Sequence, residues 1–150
     1  MATEGKVLSL YMTMPDMMRP GHRTVCDNFE CDPQGIIGDM NYDNDAEHVL
    51  LLLSQKSYEL IEAADLVVDH GVLLENIFVD IDLNHLKKGA VIEIGEHLFE
   101  VTGPCEAYRY LYALSPELPD ILHGNRGIFV TPMEHCEIRI GDTVNVLKQA

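Results

Sequence analysis

Ala90-Val-Ile-Glu-Ile-Gly-Glu-His-Leu-Phe-Glu-Val-Thr-Gly103 is the stretch that decides the fold class. Its two halves, Ala90 to Ile94 and His97 to Val101, alternate apolar with polar residues, the period of a half-buried strand. Gly95-Glu96 sits between them as a hairpin turn. The same grammar continues outward. Asn76-Ile-Phe-Val-Asp-Ile81 places Ile77, Val79 and Ile81 on one face, and Lys6 to Thr13 reads as a further strand. Val49 to Leu53 is a continuous apolar run of strand length, the mark of a strand buried on both sides. Gly127-Ile-Phe-Val130, Cys136-Glu-Ile-Arg-Ile140 and Thr143-Val-Asn-Val-Leu147 are three more strands, with Gly141-Asp142 expected to join the last two as a hairpin. Many short strands with glycine-centred turns predict a mainly β chain forming a closed or partly closed barrel, with one or two short helices.

The clearest helix follows Ser54, read as an N-cap, with Tyr58, Ile61 and Ala64 expected to face the core. Cys105 to Leu114 is ambiguous, and Pro116 to His123 suggests a short helix closed by Gly124. Gly35-Ile-Ile-Gly-Asp39 is a turn-flanked apolar pair, and Asp43-Asn-Asp45 is a loop. The Met- and Pro-rich stretch from Met14 to Pro20 reads as either an adaptable apolar surface or core filling.

The 150 residues suit a single domain spanning 1–150, and 47% hydrophobic with 23% charged residues is globular composition. The formal net charge of -15 argues against nucleic acid and against an anionic membrane surface as partners. Met1 to Lys6 lacks an apolar signal region, so a cytoplasmic location is expected, with Cys26, Cys31, Cys105 and Cys136 reduced. No P-loop, dinucleotide fingerprint or Ser-His-Asp signature is present. His22, Cys26 and Cys31, with His135 or Cys136, form a candidate zinc set whose spacing is not that of a finger or knuckle.

The order of the motifs resembles that of MOSC domains, named after the C-terminal part of molybdenum cofactor sulfurases. Gly35-Ile-Ile-Gly-Asp39 is similar to the family's Gly-x-x-Gly-Asp element, and Leu74-Glu-Asn-Ile77 to its Gly-Glu-Asn-Ile/Leu motif. Val49 to Ser54 resembles the strand and helix start between these two. Leu86-Lys-Lys-Gly89, Ile94-Gly95 and Phe99-Glu-Val-Thr-Gly103 resemble the hairpin that follows. Asn125-Arg-Gly-Ile-Phe129 and Cys136-Glu-Ile-Arg-Ile-Gly-Asp-Thr-Val144 resemble the closing elements, so the likeness runs from about residue 35 to 146. It implies a barrel and a link to the molybdenum cofactor, either binding it or handling sulfur for it. A sulfur donor or a molybdoenzyme would then be the partner; the oligomeric state stays open. The pyridoxal phosphate of the fused sulfurases belongs to another domain, and no site for it is evident here. The family often reads Thr-Gly-x-x-x-Pro-Cys where this chain reads Thr102-Gly-Pro-Cys-Glu-Ala-Tyr108. Tyr108 thus holds the usual cysteine position, and Cys105 lies three residues earlier. Leu74 replaces a family glycine, and Glu47-His48 stands where an arginine-containing pair is frequent.

Cys105 is accordingly the candidate sulfur site and molybdenum ligand. A thiol at a turn leading into a helix is a better thiolate, and a persulfide carrier and a soft metal both need that thiolate. Its other reading is a small buried apolar residue. Arg126 and Arg109 are candidate anion contacts, because the guanidinium fork matches phosphate. Gly127 and the backbone around Gly38 could add N–H groups, and Asp39 is either a cofactor contact or a turn anchor. Tyr108 is a candidate to stack on a pterin or to fill the core. Glu75 and Asn76 are either cofactor contacts or buried polar residues bonded to backbone. The alternative function is a non-catalytic barrel for binding or assembly that has lost the family cysteine.

Overall fold

A computed structural model describes residues 4–14 and 22–149. The Met- and Pro-rich stretch beyond Met14 therefore lies outside the described residues. The order of elements is β1 (Glu4–Met14), β2 (His22–Cys26), β3 (Asn28–Asp32), β4 (Gly35–Ile36), β5 (Leu50–Ser54), α1 (Gln55–Ala63), β6 (Ile77–Val79), β7 (Val91–Ile94), β8 (His97–Pro104), α2 (Tyr108–Leu114), α3 (Leu118–Ile121), β9 (Ile128–Pro132), β10 (Cys136–Arg139) and β11 (Thr143–Lys148).

Seven strands close on themselves in the order β11-β7-β8-β9-β5-β6-β1, with β1 returning to β11 and β2 added to the outside of β1. Closure removes the open edges that would otherwise template aggregation. The expected barrel is therefore present, as is the β7–β8 hairpin, with Ile94 opposite His97 across Gly95-Glu96. Gly95 has φ +64, the left-handed conformation such a turn requires. β5 and β6 run parallel, joined by a crossover that carries α1.

The unbroken apolar run in β5 has a simple cause. Leu50 and Leu52 fill the barrel interior with Val7, Leu10, Ile92 and Phe99, whereas Leu53 points outward under the helices. β6 divides in the same way, Ile77 and Val79 inward and Phe78 outward. The outer cluster joins Tyr58 and Ile61 of α1 to Leu111 of α2 and Leu118 of α3. At nine residues α1 is too short to hold together alone, so burial of that face must stabilise it. Tyr58 and Ile61 are buried as expected, but Ala64 is exposed, because the helix ends at Ala63 and Ala64 is its C-cap. Ser54 is the N-cap by position, yet its hydroxyl makes no capping bond; it is the buried last residue of β5.

The expected β10–β11 hairpin does not form. β10 pairs with β3 in a separate three-stranded sheet, β10-β3-β4, while β11 pairs with β7 and β1. The chain does turn at residues 139–142, with Asp142 N–H donating to the Arg139 carbonyl. The neighbouring backbone groups are taken by other segments: Gly141 N–H donates to Val7, and Ile140 N–H to Asp27. The turn is a corner between two sheets.

Candidate functional site

A cleft of about 270 Å³ opens between five segments distant in sequence. They are the end of β1, the loop into β5, the approach to β6, the turn after β8 and the approach to β9.

Near its end β8 carries a register shift between Val101 and Gly103. The bulge redirects the chain so that Cys105 reaches the cleft. Cys105 N–H donates to the Gly127 carbonyl at 2.9 Å, which fixes the thiol beside the Arg126 segment. Only 2% of Cys105 is exposed. α2 starts at Tyr108, beyond Cys105, and has seven residues, so the expected position of the thiol at a helix N-terminus is not what the fold provides.

Arg126 is the other candidate group in the cleft. It also is 2% exposed, and it is the largest of the fully buried side chains. Its Nε and Nη1 have no hydrogen-bond partner among the described residues, although the side chain lines the cleft. A buried guanidinium that lacks partners is expensive, since desolvation is not offset by bonds or an opposite charge.

The carboxylates that line the same cleft are already engaged. Asp39 accepts from Thr13 N–H through Oδ1 and from Asn41 N–H through Oδ2 at 2.8 Å. Asp45 is 2.7 Å from His48 Nδ1, and that bond holds its carboxyl below the usual range. His48 packs on Phe129 with ring centroids 4.6 Å apart. Thr102 Oγ1 donates to the Glu47 carbonyl at 2.6 Å, tying the loop of His48 to the strand that leads to Cys105. Asn76 stitches the floor: its Oδ1 accepts from Leu51 N–H at 2.9 Å and its Nδ2 donates to the Tyr11 carbonyl at 3.2 Å.

Cys105, Arg126, Asn76 and Asp39, all expected from sequence, thus line one cleft. The other candidates lie off its wall. Gly38 precedes Asp39 with φ +92, in the turn that sets that carboxylate. Gly127 spends its N–H on Asn84 Oδ1 at 3.0 Å. Tyr108 stacks on His123 and accepts from Gly124 N–H. Arg109, on α2, is exposed. Glu75 is fully buried on the helix-covered side, where it accepts from Tyr58 and from Gly71 N–H. Asp45, His48 and Phe129 were not named as site residues from the sequence. The signals were Glu47-His48 at the position of the family's arginine-containing pair and Asp45-x-x-His48 in a polar loop, a spacing at which the two side chains meet.

Cys31 and Cys136 of the candidate zinc set face each other, but no group of three potential ligands that could hold a metal occurs among the described residues. The side chain of His22 lies outside the described residues. No described helix is long and apolar enough to cross a membrane.

Gly127, beside Arg126, is packed against β5. It has φ +102, and a Cβ there would lie 2.9 Å from the Leu52 carbonyl oxygen of β5. Gly127→Ala is expected to lose about 1–3 kcal/mol through backbone strain. For this chain length that lowers Tm by roughly 2–12 °C in a thermal unfolding scan. An unchanged Tm would show that β5 and β9 can part without cost.

The described residues thus form a closed seven-stranded barrel carrying a cleft with a buried thiol and a guanidinium whose Nε and Nη1 have no partner among them. It is similar in structure to the YuaD protein from Bacillus subtilis, with TM-score 0.73 and 16% identity over 94% of each chain. It is also similar to YiiM from Geobacillus stearothermophilus (TM-score 0.72, 15% identity, 96% of this chain and 75% of that one). YiiM from Escherichia coli gives TM-score 0.67 and 17% identity over 99% of this chain and 72% of that one. No family model matches the sequence, and no curated protein matches it significantly. The MOSC resemblance therefore holds at the level of the fold.

Proposed function

We propose that the cleft binds a small anionic ligand through Arg126, with Cys105 as the sulfur contact, and that this ligand is the molybdenum cofactor or a sulfur-bearing group on its way to it. The observation that carries the reading is the buried Arg126 guanidinium, two of whose nitrogens have no partner among the described residues, in the same cleft as a thiol. An arginine fork suits a phosphate, and a cysteine sulfur suits molybdenum or sulfane sulfur. At about 270 Å³ the cleft is near the lower limit of ligand pockets, roughly 300–1,000 Å³. It suits the anionic end of such a cofactor, with the rest at the open rim. The bound cofactor would supply the metal and its redox chemistry. The chain would supply charge neutralisation from Arg126, orientation from Asn76 and a sulfur atom from Cys105. As a sulfur carrier, Cys105 thiol would take the terminal sulfur of a donor persulfide, giving Cys105 persulfide and leaving the donor as a thiol.

The 2% exposure of Cys105 favours a second reading, a binding or assembly barrel in which the thiol is only packing. Alkylation separates the two. A native thiol that reacts much more slowly than the denatured one supports the second reading, provided the Cys105→Ala variant binds as the parent does.

The direct test is to express the chain in a host that makes molybdenum cofactor and purify it without air. Oxidised pterin fluorescence and molybdenum are then assayed together. Near-stoichiometric pterin, lost or depleted of molybdenum in Cys105→Ala, is expected. Absence of pterin, with a control domain from the same host retaining it, would sink the cofactor reading.

A further inference from the structure

Cys31 in β3 and Cys136 in β10 are directly opposite in antiparallel register. Their sulfurs are 3.7 Å apart, and Cys31 is 0% and Cys136 3% exposed. Neither lines the cleft. Their strand neighbours Glu30 and Glu137 are not buried, as the two-residue period of a strand requires, so no further ligand is turned toward the sulfurs. That argues against a metal and leaves the chemistry of a dithiol.

We propose that Cys31 and Cys136 form a redox-active pair that a peroxide converts into a cross-strand disulfide. Directly opposite residues of an antiparallel pair have Cα atoms about 4.5–5.5 Å apart. A disulfide spans about 4.4–6.8 Å between Cα atoms, so the sulfurs can close without moving the strands. The two thiols are also chemically unequal. The hydrogen bond from Cys31 holds the Cys136 thiol below its ordinary value, while the same contact and then burial push Cys31 up. Cys136 is the sensible site for the thiolate, being the less buried of the two and the first residue of a strand at the edge of its sheet. It follows the exposed residues Met133, Glu134 and His135, so local opening of that edge admits a small oxidant.

The Cys136 thiolate attacks one peroxide oxygen, the O–O bond breaks, and hydroxide leaves, giving a sulfenic acid. The Cys31 sulfur then attacks the sulfenic sulfur. The S–O bond breaks, the S–S bond forms, and water carries away the oxygen with the Cys31 proton. Sulfur has lost two electrons to the peroxide, and a dithiol reductant returns them.

The full chain, reduced and then desalted, is treated with hydrogen peroxide. Thiols are counted after denaturation, and unreduced peptides are mapped by mass spectrometry. The expected result is a fall from four thiols to two, with Cys31 and Cys136 in one linked peptide pair lighter by two hydrogens. Dithiothreitol should restore all four. In Cys31→Ala, a sulfenic-acid trap such as dimedone should label Cys136. If that variant does not fold, the parent's peptide map still decides. The proposal is overturned if Cys31 and Cys136 stay reduced at a peroxide dose that oxidises Cys26 or Cys105. It is also overturned if Cys136 goes on to a sulfinic acid with no linked pair.

Discussion

Arg126→Met should abolish anion binding in the cleft while leaving the protein at least as stable as the parent. The two effects have one cause. Arg126 is 2% exposed, and its Nε and Nη1 have no partner among the described residues. Holding an unpaired charge out of water costs several kcal/mol, and replacing buried ionic groups by apolar side chains of similar volume is often neutral or stabilising by about 1–4 kcal/mol. Methionine is unbranched and adaptable enough to fill the guanidinium's channel. A bound anion removes the cost in the parent, because it supplies the missing charge and acceptors. Losing one side of such a charge pair costs about 2–5 kcal/mol, or roughly 30-fold to several thousand-fold in affinity. Thermal unfolding and a pterin or phosphate titration on the same two proteins check it. If Arg126→Met unfolds well below the parent, the guanidinium is a structural bonding group, and its role as the anion contact fails.

Glu75→Ala should be among the more destabilising single substitutions, at about 1–3 kcal/mol, since the buried Tyr58 hydroxyl loses its acceptor while Gly71 N–H keeps only the Tyr58 oxygen. Glu75 Oε2 accepts from the Tyr58 hydroxyl at 2.7 Å and from Gly71 N–H at 3.1 Å. The Tyr58 ring is stacked against His70 and edge-on to Phe78, so the hydroxyl cannot swing out to find water. Glu75→Gln keeps an acceptor oxygen and should cost much less. The same network gives a pH signature. Burial, and then the Glu75 charge and hydrogen bond, push the Tyr58 hydroxyl above its ordinary value of 10.0. A group whose folded value is raised contributes stability that is fully present below the unfolded value and lost as pH rises past it. Above pH 10 the unfolded chain ionises Tyr58 while the folded one does not, so stability should fall. The fall should be shallower in Tyr58→Phe, because the remaining tyrosines are common to both proteins. Equal alkaline slopes in denaturant unfolding would contradict the buried network.

Cys105 and Arg126 were legible as candidates because Cys105 follows the Gly103-Pro104 turn and Arg126 precedes Gly127, each within a motif that resembles the family's. Their shared cleft was not legible, since it is assembled from segments as far apart as Thr13 and Phe129. Arg109 and Tyr108 read equally well as anion and pterin contacts, yet α2 carries them away from the cleft wall. Short-range pattern says which residues share a face of one element, and not which other element that face meets.

The sequence by itself determined the strand-rich barrel, the Gly95-Glu96 hairpin and the amphipathic helix after Ser54. These follow from period, turn chemistry and helix-start residues, all of which act over a few positions. Only the tertiary structure decided that Gly141-Asp142 turns a corner between two sheets, that β5 and β6 run parallel, and that Cys31 lies against Cys136. The reason is that strand alternation repeats every two residues in every strand, so it fixes which side chains face inward but leaves the partner and the register to be settled by packing.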